Sequence, residues 1–361
     1  MGLGFGIVGC GMISRFHWRA IQDVRGANLV ACCDAFPAAA KRLAGETGCR
    51  AYDCLPDMLE DPGVDIVTIC TPSGAHLEPT LAAARAGKHV IVEKPLEITL
   101  RRCDRMIDAC QRHKVQLSTI FPARFHDACL QLKRAVDEQR FGRLTMGDAY
   151  VKWYRTQEYY DSGRWRGTWQ LDGGGALMNQ AIHSVDLLTW LMGPVAEIRA
   201  QWATLAHKRI QVEDVVVATL RFANGALGVI EATTAAYPGY LKRIEIHGSQ
   251  GSAVLEEEDI KQWDFAQRQR RDAGIRRQML QRQSSGGGAA DPSSIGHHGH
   301  ALLFGDCIRA IQKGGKPSID GHEGRRSVEI ILGIYQAAET GRPVTLPLTR
   351  DPVLKARRRE K

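Results

Sequence analysis

The first 122 residues alternate short runs of β-branched and small apolar residues with stretches of helical periodicity, a grammar few folds accommodate. The runs lie at 5–8, 29–33, 66–70, 89–92 and 115–119, with helical patterns between them at 12–23, 37–46, 75–86 and 100–113. Parallel strands need long crossover connections, which helices supply, so the pattern predicts a doubly wound parallel sheet of α/β class. Pro37 opens the second helix and Gly87 follows the third, the residue types that favour a helix start and stop. This part ends near Phe121-Pro122.

The remainder follows other rules. After a helical stretch at 126–139, strands are expected at 144–153, 195–204, 215–222, 226–234, 242–247 and 251–255, interrupted by one helix at 175–192. Asn224-Gly225 between two of them is a hairpin signal. Strands that follow one another without helices predict a large, mostly antiparallel open sheet, an α+β arrangement. Residues 266–299, Gln/Arg-rich and then Ser/Gly-rich, read as an exposed loop, and helices near 300–312 and 324–340 close the chain. The division expected is a doubly wound α/β domain over 1–122 and an α+β domain over 123–361. A chain of 361 residues, 44% hydrophobic and 24% charged, has the length and composition for two globular domains.

The net charge of +8 raises the question of an anionic partner. Residues 268–282 hold six Arg and one Asp, and residues 350–361 hold six basic and two acidic residues. Those segments account for more than the whole excess and leave the rest at −1. With no recognised nucleic-acid module in the loop, nucleic acid is not an expected partner. No run approaches the roughly 20 apolar residues a membrane helix needs. Without a secretory signal, and with ten cysteines lacking Cys-x-x-Cys spacing, a cytoplasmic location with buried free thiols is expected.

Gly9-Cys10-Gly11-Met12-Ile13-Ser14 follows the first strand and opens the first helix. Absent side chains there let the backbone approach a pyrophosphate at the positive helix end, although Ser14 replaces the usual third glycine. Asp34 ends the second strand, where a carboxylate accepts hydrogen bonds from ribose hydroxyls and repels a 2′-phosphate. This favours NAD over NADP as the cofactor. Glu93-Lys94-Pro95 stands at the carboxyl edge of the sheet, where such folds bind ligands. Beside an oxidised nicotinamide, the pKa of Lys94 should fall. Downstream, Asn179, His183 and Asp186 follow a glycine run at 173–175 and share one face of the expected helix. Polar groups interrupting an apolar helix need a partner or a purpose.

Together these motifs resemble the glucose-fructose oxidoreductase, inositol dehydrogenase and MocA family. The resemblance rests on Gly9-x-Gly11, the stretch from Thr71-Pro72-Ser73-Gly74-Ala75 to His76, Glu93-Lys94-Pro95, the glycine run with His183-x-x-Asp186, and Trp190-Leu191-x-Gly193. It extends to Gly321-x-Glu323-Gly324 and Gly341-Arg342-Pro343-Val344. It implies a Rossmann domain, an open-sheet domain forming homodimers or homotetramers, and NAD(P)-dependent chemistry on sugars, glycosides or cyclitols. Lys94 and His183 match the catalytic pair, while Thr71, Pro72, Ser73, His76 and Glu93 match residues lining the nicotinamide ribose. Many members carry Asp where this chain has Asn179; an amide binds a sugar hydroxyl but is no anionic partner for imidazolium. Asp186 is then the candidate to orient His183.

In the reaction so implied, His183 takes the proton of a secondary hydroxyl and Lys94 stabilises the developing alkoxide. Tyr154, Arg155, Trp165 and Arg166, in an aromatic and arginine-rich stretch before the His183 helix, are substrate-binding candidates with Asn179, and Arg124 is a further one. A glycoside-cleaving enzyme that oxidises transiently and then eliminates, and a cofactor-binding regulator without catalysis, are the alternatives. His297-His298-Gly299-His300 suggests metal binding, but hydride chemistry needs no metal, and none is expected.

Overall fold

In the computed structural model, which describes residues 2–281 and 296–354, the chain forms two compact units. In the first, β1 (Leu3–Val8), α1 (Met12–Asp23), β2 (Ala27–Cys33), α2 (Pro37–Thr47), β3 (Arg50–Tyr52), α3 (Leu55–Glu60), β4 (Ile66–Ile69), α4 (Leu77–Arg85), β5 (His89–Val92), α5 (Leu100–Arg112) and β6 (Leu117–Thr119) follow one another. The six strands are parallel in the order β3-β2-β1-β4-β5-β6, the doubly wound arrangement expected. β1, β4 and β5 are almost wholly buried because helices cover both faces. The short, largely exposed β3 carries too weak a pattern to stand out in the sequence.

The second unit begins at Ala123. It contains α6 (Asp127–Asp137), β7 (Leu144–Lys152), α7 (Gln157–Asp161), a π-helical stretch (Ala176–Ala181) and α8 (Ile182–Met192). Strands β8 (Val195–Ala203), β9 (Val215–Phe222), β10 (Leu227–Thr233), β11 (Arg243–Gly248), β12 (Gly251–Glu256) and β13 (Asp259–Phe265) then precede α9 (Asp272–Gln281). With β14 (Val344–Thr345) they form an eight-stranded sheet in the order β13-β12-β11-β7-β10-β9-β8-β14. Only the central β7 and β10 pair in parallel. β9 alternates strictly between buried and uncovered residues, as a sheet packed on one face requires. Met146, Val217 and Leu227 are exposed on neighbouring strands. Gly225 turns the β9–β10 hairpin with φ of 87°, and Asn224 accepts the Ala226 N–H at 3.0 Å.

Two expectations change. The 266–299 segment is not loop throughout, since α9 forms within it; residues 282–295 lie outside the described residues. The division at 122 also omits a return of the chain. α10 (His298–Lys313) and the first residues of α11 (Gly321–Thr340), within Gly296–Val328, pack with the first unit. Phe304 of α10 stacks on Phe5 of β1 at 5.5 Å, and Ile319 accepts hydrogen bonds from Ser118 Oγ at 2.8 Å and Thr119 N at 3.2 Å. The segment thus covers an apolar face and closes the β6 edge. Eight cysteines are buried, Cys49 is partly buried and Cys54 is exposed, all as free thiols. No helix among the described residues is long and apolar enough to cross a membrane.

Candidate active site

Gly9 leaves β1 with φ of +91°, and a Cβ there would lie 2.8 Å from the Cys70 backbone. Both facts require glycine. A Cβ at Gly11 would meet nothing within 4 Å, so open space fronts the first turn of α1. That turn has neither a side-chain cap nor an acidic residue, which leaves its positive end unanswered. Ser14 fits where a third glycine was expected because its hydroxyl turns back to the Gly11 carbonyl at 2.6 Å. Asp34 Oδ2 accepts the Cys10 N–H at 2.6 Å and Oδ1 accepts the Phe36 N–H at 2.8 Å. Gly9 and Gly11 thus lead into the first turn of α1, where Met12 and Ile13 stand, and Asp34 ties the end of β2 to that turn through Cys10.

Along the same sheet edge, the loop after β4 and the turn after β5 are tied together. The His76 ring, 1% exposed, places Nδ1 2.9 Å from the Pro95 carbonyl and Nε2 3.0 Å from the Thr71 carbonyl. His76, expected to line the ribose, is thus engaged with backbone on both sides. Thr71 Oγ1 donates to the Ala75 carbonyl at 3.1 Å, Ser73 is buried, and Pro72 precedes a 3₁₀ turn. Lys94 is partly buried and precedes a cis peptide bond to Pro95. Its backbone N–H donates to Glu93 Oε2 at 3.1 Å. The other Glu93 oxygen receives His17 Nε2 at 2.8 Å, with His300 Nε2 at 3.5 Å. Burial alone would lift the Glu93 pKa, but hydrogen bonds from His17 and His300 hold it well below the usual carboxylate range. Burial pulls His17 the other way, towards neutral imidazole. An anionic Glu93 receiving the N–H bond of a neutral His17 satisfies both directions.

In the second unit, Gly175 leads into the π-helical stretch, which precedes α8 and His183. The wider π turn interrupts the i, i+4 register that would align Asn179 with His183 on an α-helix. Glu213, wholly buried, accepts Gly175 N–H and Leu177 N–H at 2.8 Å each and the Tyr335 hydroxyl at 2.9 Å. Burial drives its pKa up to about 7 despite those donors. Asn179 Nδ2 donates to Asp172, whose other oxygen accepts Gly167 N–H at 2.8 Å. Gln180 Nε2 donates to the Tyr159 hydroxyl at 2.8 Å, and Arg166 donates to the same oxygen at 2.6 Å. Arg155, 3% exposed, reaches Gln180 Oε1 at 3.1 Å and lies over Trp153 and Tyr159. Asn179, Arg155 and Arg166 are thus assembled through Gln180 and Tyr159. Tyr154 packs edge-on against Tyr237, and Trp165 lies under the Arg166 guanidinium at 4.5 Å.

Arg124 falls elsewhere. It is 6% exposed and grips Asp186 bidentately at 2.8 and 2.6 Å, stacked over Trp190. The two are a buried ion pair, so Arg124 is spent on Asp186 rather than offered to a cleft, and Asp186 carries a guanidinium on both oxygens. Glu213, His17 and Gln180 were not among the sequence candidates. Each acts through a partner remote in the chain, which leaves no local spacing to read.

Comparison with known proteins follows the same division. Residues 3–121 match the oxidoreductase family with an NAD-binding Rossmann fold, and residues 129–254 match the GFO/IDH/MocA C-terminal domain. The inositol 2-dehydrogenase of Rhizobium meliloti strain 1021 is 32% identical over 263 residues, 71% of this chain and 76% of that protein. The WlbA dehydrogenase of Bordetella pertussis, solved with NADH and UDP-GlcNAcA, is 39% identical with a TM-score of 0.88, covering 96% of this chain and 98% of that one. The WlbA dehydrogenase of Chromobacterium violaceum, solved with the same two molecules, is 37% identical with a TM-score of 0.85, covering 96% of each chain.

Proposed function

From the premise that this chain belongs to the GFO/IDH/MocA family of NAD-dependent oxidoreductases, we propose that it oxidises a secondary hydroxyl of a nucleotide-linked sugar acid, with Lys94 and His183 as the reacting pair. The observation that carries this reading is the likeness, at 39% identity across 96% of the chain, to a dehydrogenase solved with NADH and UDP-GlcNAcA. The similarity to an inositol dehydrogenase is lower, at 32%, and spans 71% of the chain. Arg166, only partly buried, suits a substrate with carboxylate or phosphate groups, which guanidinium binds through paired N–H donors.

The turn of Gly9 and Gly11 with Asp34 would hold NAD, which would supply the hydride acceptor. Asp34 would accept the ribose hydroxyls and disfavour the 2′-phosphate of NADP. His183 removes the hydroxyl proton as the carbon–hydrogen bond breaks and the carbonyl forms. Lys94 donates a hydrogen bond to the same oxygen, where negative charge develops. Asn179, fixed by Asp172, presents its amide oxygen to a sugar hydroxyl. The reverse reduction uses the same groups, with His183 returning the proton.

The test is a panel of UDP-linked sugar acids, free sugars, cyclitols and glycosides with NAD and NADP in parallel, followed by nicotinamide absorbance and product analysis. Turnover with a UDP-sugar acid and NAD is expected; turnover confined to free cyclitols would overturn the substrate class. Lys94→Met and His183→Ala should each retain NADH binding and lose turnover by about 1,000-fold. Near-wild-type turnover in either variant would remove that residue from the chemistry.

A further inference from the structure

Three titratable side chains meet in the interior of the first unit: His17 of α1, Glu93 at the end of β5 and His300 of α10. They are 0%, 7% and 5% exposed. His17 Nε2 lies 2.8 Å from Glu93 Oε1, and its Nδ1 lies 2.7 Å from Thr68 Oγ1 on β4. His300 Nε2 reaches the same Glu93 oxygen at 3.5 Å, with the two rings 5.4 Å apart and tilted by 55°. Phe304, one turn beyond His300, packs edge-on against His17 at 5.3 Å. The remaining Glu93 oxygen receives the Lys94 backbone N–H. His300 Nδ1 is buried with no hydrogen-bond partner among the described residues, so the polar contact this ring makes is the one to Glu93.

Replacing a buried charged group and its partners by apolar residues of like volume is often neutral or stabilising. Stability alone therefore does not explain a carboxylate held by two imidazoles one residue before Lys94. We propose that His17 and His300 are positioning residues for the reaction: they lock the Glu93 carboxylate, and through it the backbone turn from which Lys94 projects. His300 belongs to the His-rich run that suggested a metal, and the geometry points instead to a clamp in which His17 Nε2 and His300 Nε2 face one Glu93 oxygen at 2.8 and 3.5 Å. The inference rests on the reading of Lys94 as a reacting residue. It adds that α10, from the far end of the chain, helps set the position of that lysine.

The test compares His300→Phe, which keeps a ring and removes both nitrogens, with His300→Gln, which keeps a donor at the Nε2 position. Glu93→Gln and Lys94→Met are measured beside them for kcat, KM, NADH affinity and melting temperature. A displacement of about 1 Å at a reacting group costs about 100-fold, so H300F should lower kcat by that order while substrate KM and NADH affinity stay near wild type. H300Q should recover to within about tenfold of wild type. E93Q should lower kcat as H300F does, and combining the two should add little to that loss, because both act on kcat through one contact. If K94M is inactive but H300F keeps kcat within about twofold of wild type, the clamp is overturned and the Lys94 reading stands. If K94M is active, the Lys94 reading fails, and the clamp with it. Should H300F not fold, wild-type turnover in E93Q overturns the clamp just as well. A stoichiometric metal ion in the purified protein that is lost in H300Q would also replace it.

Discussion

The Glu213 carboxyl lies in the interior with two backbone N–H groups and the Tyr335 hydroxyl directed at it, at the point where the polypeptide enters the π-helical stretch. Three donors favour the anion and burial opposes it, and the outcome is a pKa near 7. The folded state then holds a proton on Glu213 across a range where the unfolded chain, at the ordinary value of 4.5, has released it. Stability from this group is present below about pH 4.5 and falls as pH rises through 7, by at most about 1.4 kcal/mol per pH unit. Glu213→Gln should therefore flatten the stability profile between pH 5 and 8 relative to wild type, as read by denaturant titration at each pH. Equal pH slopes in the two proteins would show that Glu213 is already ionised at pH 5. At this scale, the places of Gly9, Asp34 and Lys94 in the fold could be read from the sequence because each has a local context: a turn after a strand, or a strand end. Glu213 could not, since its meaning depends on the N–H groups of Gly175 and Leu177, reached only in the fold.

Among the elements, α9 carries the clearest lesson. Its Gln/Arg-rich composition predicts loop, yet Asp272 at its first position is a hub. Both oxygens receive Arg140 at 2.8 Å, while Trp263 Nε1 donates at 2.9 Å and Gln269 N at 2.7 Å. Burial alone would raise the Asp272 pKa; Arg140 with the Gln269 and Trp263 N–H donors holds it well below the usual carboxylate range. A helix start anchored this way needs little propensity of its own, because tertiary contacts outweigh it. Composition misled because Arg140 and Trp263 lie outside the segment. Asp272→Ala leaves the Arg140 guanidinium, 4% exposed, without its carboxylate and should cost about 3 kcal/mol in denaturant unfolding. Arg140→Met combined with it should recover part of that loss; equal destabilisation in single and double variants would show that the charge pairing is irrelevant. The strong strands and helices, such as β9 and α5, could be read because one periodicity decides them. β3, α3, β14 and the π-helical stretch could not, being short or set by their neighbours' hydrogen bonds.

For the whole molecule, the charge of +8 is a local matter. Within the Arg-rich segment, Arg271 meets Glu138 and Arg276 meets Asp264, so part of the excess is answered at the surface of its own unit, and residues 355–361 lie outside the described residues. The larger consequence concerns the return of residues 296–328 to the first unit. Alternation over 1–122 reads as a complete doubly wound domain, because a sequence pattern registers elements in order and not a cover that arrives from another part of the chain. In the structure, Phe5 needs Phe304, the β6 edge needs Ile319, Asp104 pairs with Arg325 at 2.5 Å, and His17 and Glu93 need His300. Residues 1–122 expressed alone therefore expose apolar surface on β1 and an open β6 edge, a combination that favours association over cooperative folding. That fragment should aggregate or melt without a sharp transition in calorimetry and should not quench or enhance NADH fluorescence. The same fragment joined through a flexible linker to residues 296–328 should regain a cooperative melt and bind NADH. A sharp transition with NADH binding in the 1–122 fragment would show that the returning segment is dispensable cover; recovery only on its addition would show that the dinucleotide-binding unit is built from two separated stretches of chain.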